Sequence, residues 1–282
     1  MDGHPDEDVG RRRLLPLIAL AGAVLLTAGA LALVSNPTSA RGANCSRVVV
    51  AAGDMNSLSA TNATGKMAAA QRPDFVLTLG DEQYPAGALA DFGSKYDKTP
   101  WGDLKRSTKP VPGNHEYETP RAAGYFGYFS VPAYYAFDLG CGWRGYALNS
   151  EVALSTQVSW LRRDLAAHSA SKVLAYWHRP RYSSGSRHGS DPAMQPIWAA
   201  LTKRKAVVLT GHEHNYERVR VSAVRQFVVG TGGSATYGFG RPVTGSEFRL
   251  TGVPGVLRVV LSGGYDWKFL DRSGAARDSG TG

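Results

Sequence analysis

"LTGHEHNYER", residues 209–218, sets two histidines one residue apart directly after an apolar run. The chain has only seven histidines in 282 residues, so this pairing asks for a reason. Two charged imidazoles this close repel, whereas a metal ion takes both as neutral donors. The reading therefore turns on whether similar strand ends elsewhere supply the remaining ligands.

They recur along the chain. "RVVVAAGD" ends at Asp54, "DFVLTLGD" at Asp81, "KPVPGNH" at Asn114 and His115, "KVLAYWH" at His178, and "AVVLTGHEH" at His212 and His214. Each is a short Val/Leu-rich run closed by a small residue and then a polar one. Such runs, far apart in sequence, suit buried strands of a central sheet. Open α/β sheets bind ligands at the carboxyl ends of their strands. One "GD" after a strand is weak, but five strand ends all carrying metal-ligand types are not a chance arrangement.

Helical patterns lie between the runs. "STQVSWLRRDLAAHSA" (155–170) offers Ser155 and Thr156 as a cap region and Val158, Leu161 and Leu165 as an apolar face. "DPAMQPIWAALTKRK" (191–205) puts Met194, Ile197, Trp198 and Leu201 on one face, and "TGKMAAAQRP" (64–73) is a weaker candidate. The C-terminal runs "RQFVVGTGG", "GVLRVVLSGG" and "YDWKFLDRSG" read as hairpins, so the sheets are expected to be mixed. The final "AARDSGTG" (275–282) reads as polar and loose. Strands alternating with helices give an α/β class. No internal repeat or long linker divides residues 46–282.

These blocks resemble the calcineurin-like metallophosphoesterases, and within them the purple acid phosphatases and their small bacterial relatives. The likeness is carried by "GD" (53–54), "GDEQY" (80–84), "GNHE" (113–116), "HRPRY" (178–182), "GHEHNYER" (211–218) and "FVVGTGG" (227–233). The wider superfamily has Asp-x-His in its first block. Here Asp54-Met55-Asn56 lacks that histidine, and Tyr84 stands three residues after Asp81, where the purple acid phosphatase pattern has its tyrosine.

The resemblance implies a four-layer α/β/β/α sandwich of two mixed β-sheets, a single catalytic domain over residues 41–282, with no separate β-domain before the first block. It implies one metal held by Asp54, Asp81, Tyr84 and His214, and a second held by Asp81, Asn114, His178 and His212, with Asp81 bridging. A phenol with a pKa of about 10 becomes a ligand most readily on a trivalent cation. Tyr84 therefore points to Fe3+ at its site, with Fe2+, Zn2+ or Mn2+ at the other. Two metals about 3.5–4 Å apart clamp phosphoryl oxygens and lower the pKa of a bridging water. The reaction expected is hydrolysis of phosphomonoesters by in-line attack of a metal-bridging hydroxide, with no phospho-enzyme. The catalytic candidates are His115 and His188, the latter in "YSSGSRHGSD" ten residues after His178. Either would protonate the leaving alcohol or bind phosphate. Arg179 and Arg187 are anion-steering candidates; each reads equally as a solvated arginine. His4 and His168 have no claim on the site. No serine lies in a nucleophile-elbow pattern, which argues against a serine hydrolase.

Two other functions stay open at this point. One is a phosphodiesterase or nucleotidase on the same centre, and the other a non-catalytic anchored envelope protein. A composition of 43% hydrophobic, 10% aromatic and 20% charged residues supports a well-cored domain and not a disordered tail.

Arg11–Arg13 precede an uncharged stretch, Leu14–Val34, and "PTSA" ends at Ala40. This is the pattern of a signal peptide or of a membrane anchor through residues 14–34. Either places the domain outside the cytoplasmic membrane, secreted or held on its outer face. Residues 1–40 hold three Arg and four acidic residues, which leaves 29 basic and 19 acidic groups, or +10, in the rest. Such a surface attracts phosphate-bearing substrates or anionic polymers. No Lys/Arg run interleaved with aromatics marks a specific nucleic-acid partner, and the expected partner is a small phosphate ester. Cys45 and Cys141 are the only cysteines. An oxidising compartment permits a disulfide between them; two separate buried thiols are the other reading.

Overall fold

The computed structural model describes residues 45–282, Ser57 apart. Residues 1–40, read above as a signal peptide or membrane anchor, lie outside the described residues.

Twelve strands form two sheets among the described residues. In chain order they are β1 (Arg47–Ala52), β2 (Phe75–Thr78), β3 (Tyr135–Gly140), β4 (Trp143–Ala147), β5 (Lys172–Trp177), β6 (Val207–Thr210), β7 (Tyr216–Val221), β8 (Val224–Val229), β9 (Ser246–Leu250), β10 (Gly255–Leu261), β11 (Tyr265–Asp271) and β12 (Ala276–Thr281). The five-stranded sheet runs β12-β11-β10-β1-β2, and the seven-stranded sheet runs β3-β4-β5-β6-β8-β7-β9. Both are mixed. β1 is parallel to β2 but antiparallel to β10. β4, β5, β6 and β8 run parallel, with antiparallel partners outside them.

Helices α1 (Leu58–Ala70), α2 (Leu89–Ser94), α3 (Pro100–Asp103), α4 (Asn114–Tyr117), α5 (Ala123–Phe129), α6 (Leu154–Ala167) and α7 (Gln195–Thr202) complete the chain. α1 packs on β10 and β11, and α6 packs beside α7. Strand periodicity places the layers. On β5, Val173, Ala175 and Trp177 join Val158, Leu161, Leu165, Ile197 and Trp198 in one core beneath α6 and α7. The alternate residues Leu174 and Tyr176 join the core between the sheets, with Val49, Leu209, Phe227 and Trp267. A sheet covered on both faces needs apolar residues at successive positions, which is why these strands read as continuous runs and not as alternation. The result is the expected α/β/β/α sandwich.

The disulfide forms: Cys45 and Cys141 are bonded, with Cα atoms 5.4 Å apart. It ties the entry to β1 to the turn between β3 and β4.

Four local expectations are corrected. "KPVPGNH" is not a strand. Thr108 and Val111 make only isolated parallel bridges to Val76 and Leu79. Pro110 and Pro112 have no N–H to give to a ladder. Ser155 and Thr156 do not cap α6. Its cap is Ala153, without a side-chain bond, and both lie inside the first turn. α1 begins six residues before "TGKMAAA". Finally, "AARDSGTG" is not loose. It forms edge strand β12, antiparallel to β11. Asp278 on it accepts hydrogen bonds from Tyr216 (2.7 Å) and Arg218 (2.9 Å) of the other sheet. No helix among the described residues is long and apolar enough to cross a membrane.

Candidate metal centre

Ala52 is level with Thr78 on β1–β2, and Trp177 with Thr210 on β5–β6. The chain therefore leaves each parallel pair at one height, and hydrogen bonds join the ends of the two sheets. Gly53 N donates to Val229 O (3.0 Å), and His212 N to Asp54 Oδ2 (2.9 Å). Asp54, Asp81 and His212 hold φ values of 65°, 54° and 69°. Non-glycine residues in the left-handed region are strained and persist where the surroundings fix them. Three of them here turn their side chains inward at one spot.

All seven expected ligands converge, in two groups that share Asp81. In the first, Asp81, His178 and His212 present ligand atoms that lie within 4.8 Å of one another. His178 Nε2 stands 3.3 Å from Asp81 Oδ2, 3.2 Å from Asn114 Oδ1 and 3.2 Å from His212 Nδ1. In the second, His214 Nε2 lies 3.3 Å from Asp54 Oδ1 and 3.4 Å from the Tyr84 hydroxyl, which donates to Asp81 Oδ2 at 3.1 Å.

The protons show what this arrangement fits. His178 Nδ1 donates to Leu79 O (2.7 Å) and His214 Nδ1 to Ala235 O (2.8 Å). Each neutral ring then turns its Nε2 lone pair toward carboxylate oxygens, the geometry of histidine ligands whose other nitrogen is pinned to a carbonyl. Asp54 Oδ1 is buried with no hydrogen-bond partner. Lone pairs facing lone pairs in a buried site require positive charge between them.

A proton supplies that charge when no cation does. Burial works against a charged His178, but Asp81 beside it raises its pKa to about 10. Burial also works against ionised Asp81, yet His178 and then His115 hold it below the usual carboxylate range. His212 is pushed down by burial and by the charge on His178. Burial, then Asp54 and Asp81, push the Tyr84 phenol far up. It ionises only against a strong cation. The donor set of carboxylates, imidazoles, an amide and a phenol fits hard or borderline metal ions.

The two catalytic candidates flank this cluster. The His115 ring lies on Tyr84 with centroids 4.0 Å apart, its Nδ1 2.6 Å from Pro85 O and its Nε2 3.8 Å from Asp81 Oδ2. The His188 ring stacks on His212, centroids 4.1 Å apart. Burial, then the charges of His214 and Arg187, keep its pKa below the ordinary value, so it is neutral at pH 7. Arg179 is fixed by Glu151 (Nε to both oxygens, 2.9 Å), and its Nη1 donates to His212 Nε2 at 3.1 Å. Arg187 lies over the Tyr237 ring, 6.0 Å from its centroid.

Two glutamates inside the quoted motifs were given no role by the sequence reading. Glu116 is fully buried. Its Oε2 accepts from Asp81 N (2.9 Å) and Gly113 N (2.7 Å), and its Oε1 from Gln83 N (3.1 Å). It clasps the backbones that present Asp81 and Asn114. Burial, then Asp81, push its pKa up to about 7. A side chain at Gly113 would sit 2.2 Å from Asp81 Oδ1, so only glycine fits there. Glu213 Oε1 accepts from the backbone N–H of both His188 and Gly189 (2.5 Å each) and ties the His188 loop to the His-x-His turn. The available signal was an acidic residue inside each of these two ligand motifs, Glu116 two residues after Asn114 and Glu213 between His212 and His214.

Donors of these kinds, gathered where the strands of two packed mixed sheets end, mark the class of metal-using phosphoester hydrolases. The chain belongs to the calcineurin-like phosphoesterase family, whose pattern matches residues 48–216. No curated protein matches it in sequence. Among solved structures it is similar to purple acid phosphatase PPD1 of yellow lupin (Lupinus luteus) seeds, with a TM-score of 0.71 and 19% identity. That likeness covers 84% of this chain and 54% of the lupin one, so the chain spans about half the length of that relative. It is also similar to GAP50, the anchor in the inner membrane complex of Plasmodium (TM-score 0.67, 15% identity, 84% of this chain and 89% of that one). A third similar structure is PhoD (TM-score 0.55, 13% identity, 86% and 70%). At these identities the likenesses speak to fold. Family and fold together give a phosphoester hydrolase that uses metal ions.

Proposed function

We propose that the protein is an exported phosphomonoesterase with a dinuclear metal centre, carried by the catalytic domain of residues 41–282. The observation that carries this is the sharing of Asp81 between two buried donor groups, each with an imidazole whose proton is pinned away from the cluster. Asp54, Asp81, Tyr84 and His214 would hold one ion and Asp81, Asn114, His178 and His212 the other. The Tyr84 phenol favours Fe3+ in the first position, with Fe2+, Zn2+ or Mn2+ in the second. Such a pair, when bound, polarises phosphoryl oxygens and acidifies water.

The chain's own residues do the rest. Hydrolysis forms one P–O bond from water and breaks the ester P–O bond opposite. His115, half-open to solvent beside Asp81, delivers a proton to the departing alcohol oxygen. His188, neutral and stacked on His212, donates a hydrogen bond to a phosphate oxygen and serves as an acid only at lower pH. A positioned acid is worth about 10²–10⁴ in rate. Arg179, braced by Glu151, adds positive charge at the rim.

Metal analysis with a visible spectrum, and assays on a nitrophenyl monoester beside a bis-ester and a cyclic nucleotide, test the reading. Two metals per chain, a phenolate-to-iron band and preference for the monoester support it. Preference for the diesters makes the protein a phosphodiesterase on the same centre. The likeness to an anchor protein supports a second reading, an anchored binding protein on the same fold. Two bound metals with no hydrolysis of any ester over pH 4–10 decide for that.

A further inference from the structure

Three imidazoles serve the proposed centre, and their outer nitrogens have unlike partners. His178 and His214 each give the nitrogen that faces away from the cluster to a backbone carbonyl, an acceptor. His212 turns Nδ1 toward the cluster, 3.2 Å from His178 Nε2, and its outer Nε2 meets a donor, Arg179 Nη1, at 3.1 Å. Arg179 is itself held from behind. Its Nε donates to both oxygens of Glu151 at 2.9 Å and its backbone N to Ser150 Oγ at 3.2 Å, while Ser150 Oγ donates to Glu151 Oε1 at 2.9 Å. Glu151 N donates to Asn149 Oδ1 (2.9 Å), and Asn149 Nδ2 donates to the Tyr117 hydroxyl of α4 (2.9 Å). The Glu151 side chain is 7% exposed and that of Arg179 31%, so the brace is buried and the guanidinium is reachable. A guanidinium carries five N–H donors. One goes to Glu151 and one to His212, so both donors of Nη2 and one of Nη1 have no acceptor among the described residues.

We infer that Arg179 is a phosphate-binding residue whose release is coupled to metal loading through His212, with Glu151 as the residue that positions it. This role rests on the phosphomonoesterase reading and adds a coupling to it. A neutral imidazole has one N–H and one lone pair. When His212 gives its Nδ1 lone pair to an ion, its proton sits on Nε2, and Nε2 no longer accepts from Arg179. Two donors then face each other across 3.1 Å, and positive charge on the cluster side adds to the repulsion. Glu151 keeps Nε in place, so the guanidinium yields by swinging its Nη groups off the His212 edge. Those groups then meet an oxyanion at the outer side of His212, where the His188 ring also stands, its centroid 4.1 Å from that of His212. A planar charged fork binds phosphate oxygens with strong, directed hydrogen bonds. Anion and metal are thereby coupled in both directions, as linkage requires. Arg179 opposes the metal until an anion takes up its charge.

The test uses the full chain and two readouts other than turnover. One is Zn2+ affinity, by competition with a chromophoric chelator. The other is calorimetric binding of inorganic phosphate to the Zn2+-loaded protein. Arg179→Gln removes the opposing donor and charge, so Zn2+ should bind at least about threefold tighter. Phosphate should bind at least about tenfold weaker, for the loss of charge-assisted hydrogen bonds. An arginine with only a structural role would weaken both on removal. Arg179→Lys keeps the charge but not the fork that joins Glu151 to an anion, and should lose phosphate affinity nearly as far as Arg179→Gln. Zn2+ binding unchanged or weaker in Arg179→Gln, or phosphate binding within about twofold of wild type in either variant, overturns the inference. If the wild type hydrolyses no ester and the two affinities still move in opposite directions, the phosphomonoesterase reading fails and the role of Arg179 stands. A wild type that takes up no Zn2+ overturns both.

Discussion

Replacing Glu116 by glutamine isolates what a single buried carboxylate contributes to the centre. In the wild type its two oxygens accept three backbone N–H groups, from Asp81, Gly113 and Gln83. At pH 8, above the value of about 7 to which burial and Asp81 push its pKa, the group is ionised. Glutamine keeps one oxygen. If that oxygen takes the Asp81 and Gly113 amides, the new NH₂ faces the Gln83 N–H at about the present 3.1 Å, donor against donor. One buried N–H left without an acceptor costs about 1–3 kcal/mol. The other two bonds lose their charge assistance, roughly half their strength. Because a pKa raised on folding makes the ionised carboxylate itself costly above pH 7, and glutamine removes that cost, the net destabilisation of the metal-free protein should be smaller, about 1 kcal/mol in urea melts at pH 8. Because the clasped backbones present Asp81 and Asn114, metal affinity should also fall about 10–100-fold, as for other residues that orient ligands. Glu116→Ala should cost more, since all three donors are orphaned. If Glu116→Gln melts within 0.5 kcal/mol of wild type and binds metal normally, the positioning role is wrong.

Four shorter predictions accompany it. Asp81→Ala should abolish metal content and hydrolysis together, and elemental analysis beside an ester assay checks both; retained activity refutes the shared role. Metal binding to protein prepared metal-free should release protons at pH 7, measurable by titration in weak buffer, because the proton that Asp81 holds on His178 must leave. Reduction of the Cys45–Cys141 bond, which joins positions 96 residues apart, should lower stability by about 2–4 kcal/mol without touching the metal ligands. Asp271 offers a pH test. Burial alone would raise its pKa, but hydrogen bonds from Ser273, Arg277 and Ala275 N hold it at about 2. With its folded value below the unfolded one, its contribution is present above pH 4 and disappears as pH falls toward 2. Asp271→Asn should cost about 1–2 kcal/mol at pH 7 and close to nothing at pH 2, read by thermal melts across that range.

The strand ends were legible because buried parallel strands leave unbroken apolar runs and the ligands follow directly after them, as at Asp54, Asp81, His178 and His212. The helix faces of α6 and α7 were legible for the same reason of period. What escaped reading depended on partners remote in sequence. β12 looked loose because its residues are mostly polar, and only its neighbour β11 and the Tyr216–Arg218 pair across the sandwich make it a strand. "KPVPGNH" carried the hydrophobic pattern of a strand but not the N–H groups. Glu116 and Glu213 sat in quoted motifs, yet apart from Gly113 N the amides they bind lie 24–35 residues away, which spacing does not reveal.

The proposed ligands come from both halves of the sandwich, Asp54 and Asp81 following strands of one sheet, His178 and His212 strands of the other. Loading the centre thus rivets two plates at their rim, and the filler between the plates sets the gauge of the rivet hole. Trimming Phe227 or Trp267 deep in that filler would register at the rim as altered grip on the ions, although neither side chain is among the proposed ligands.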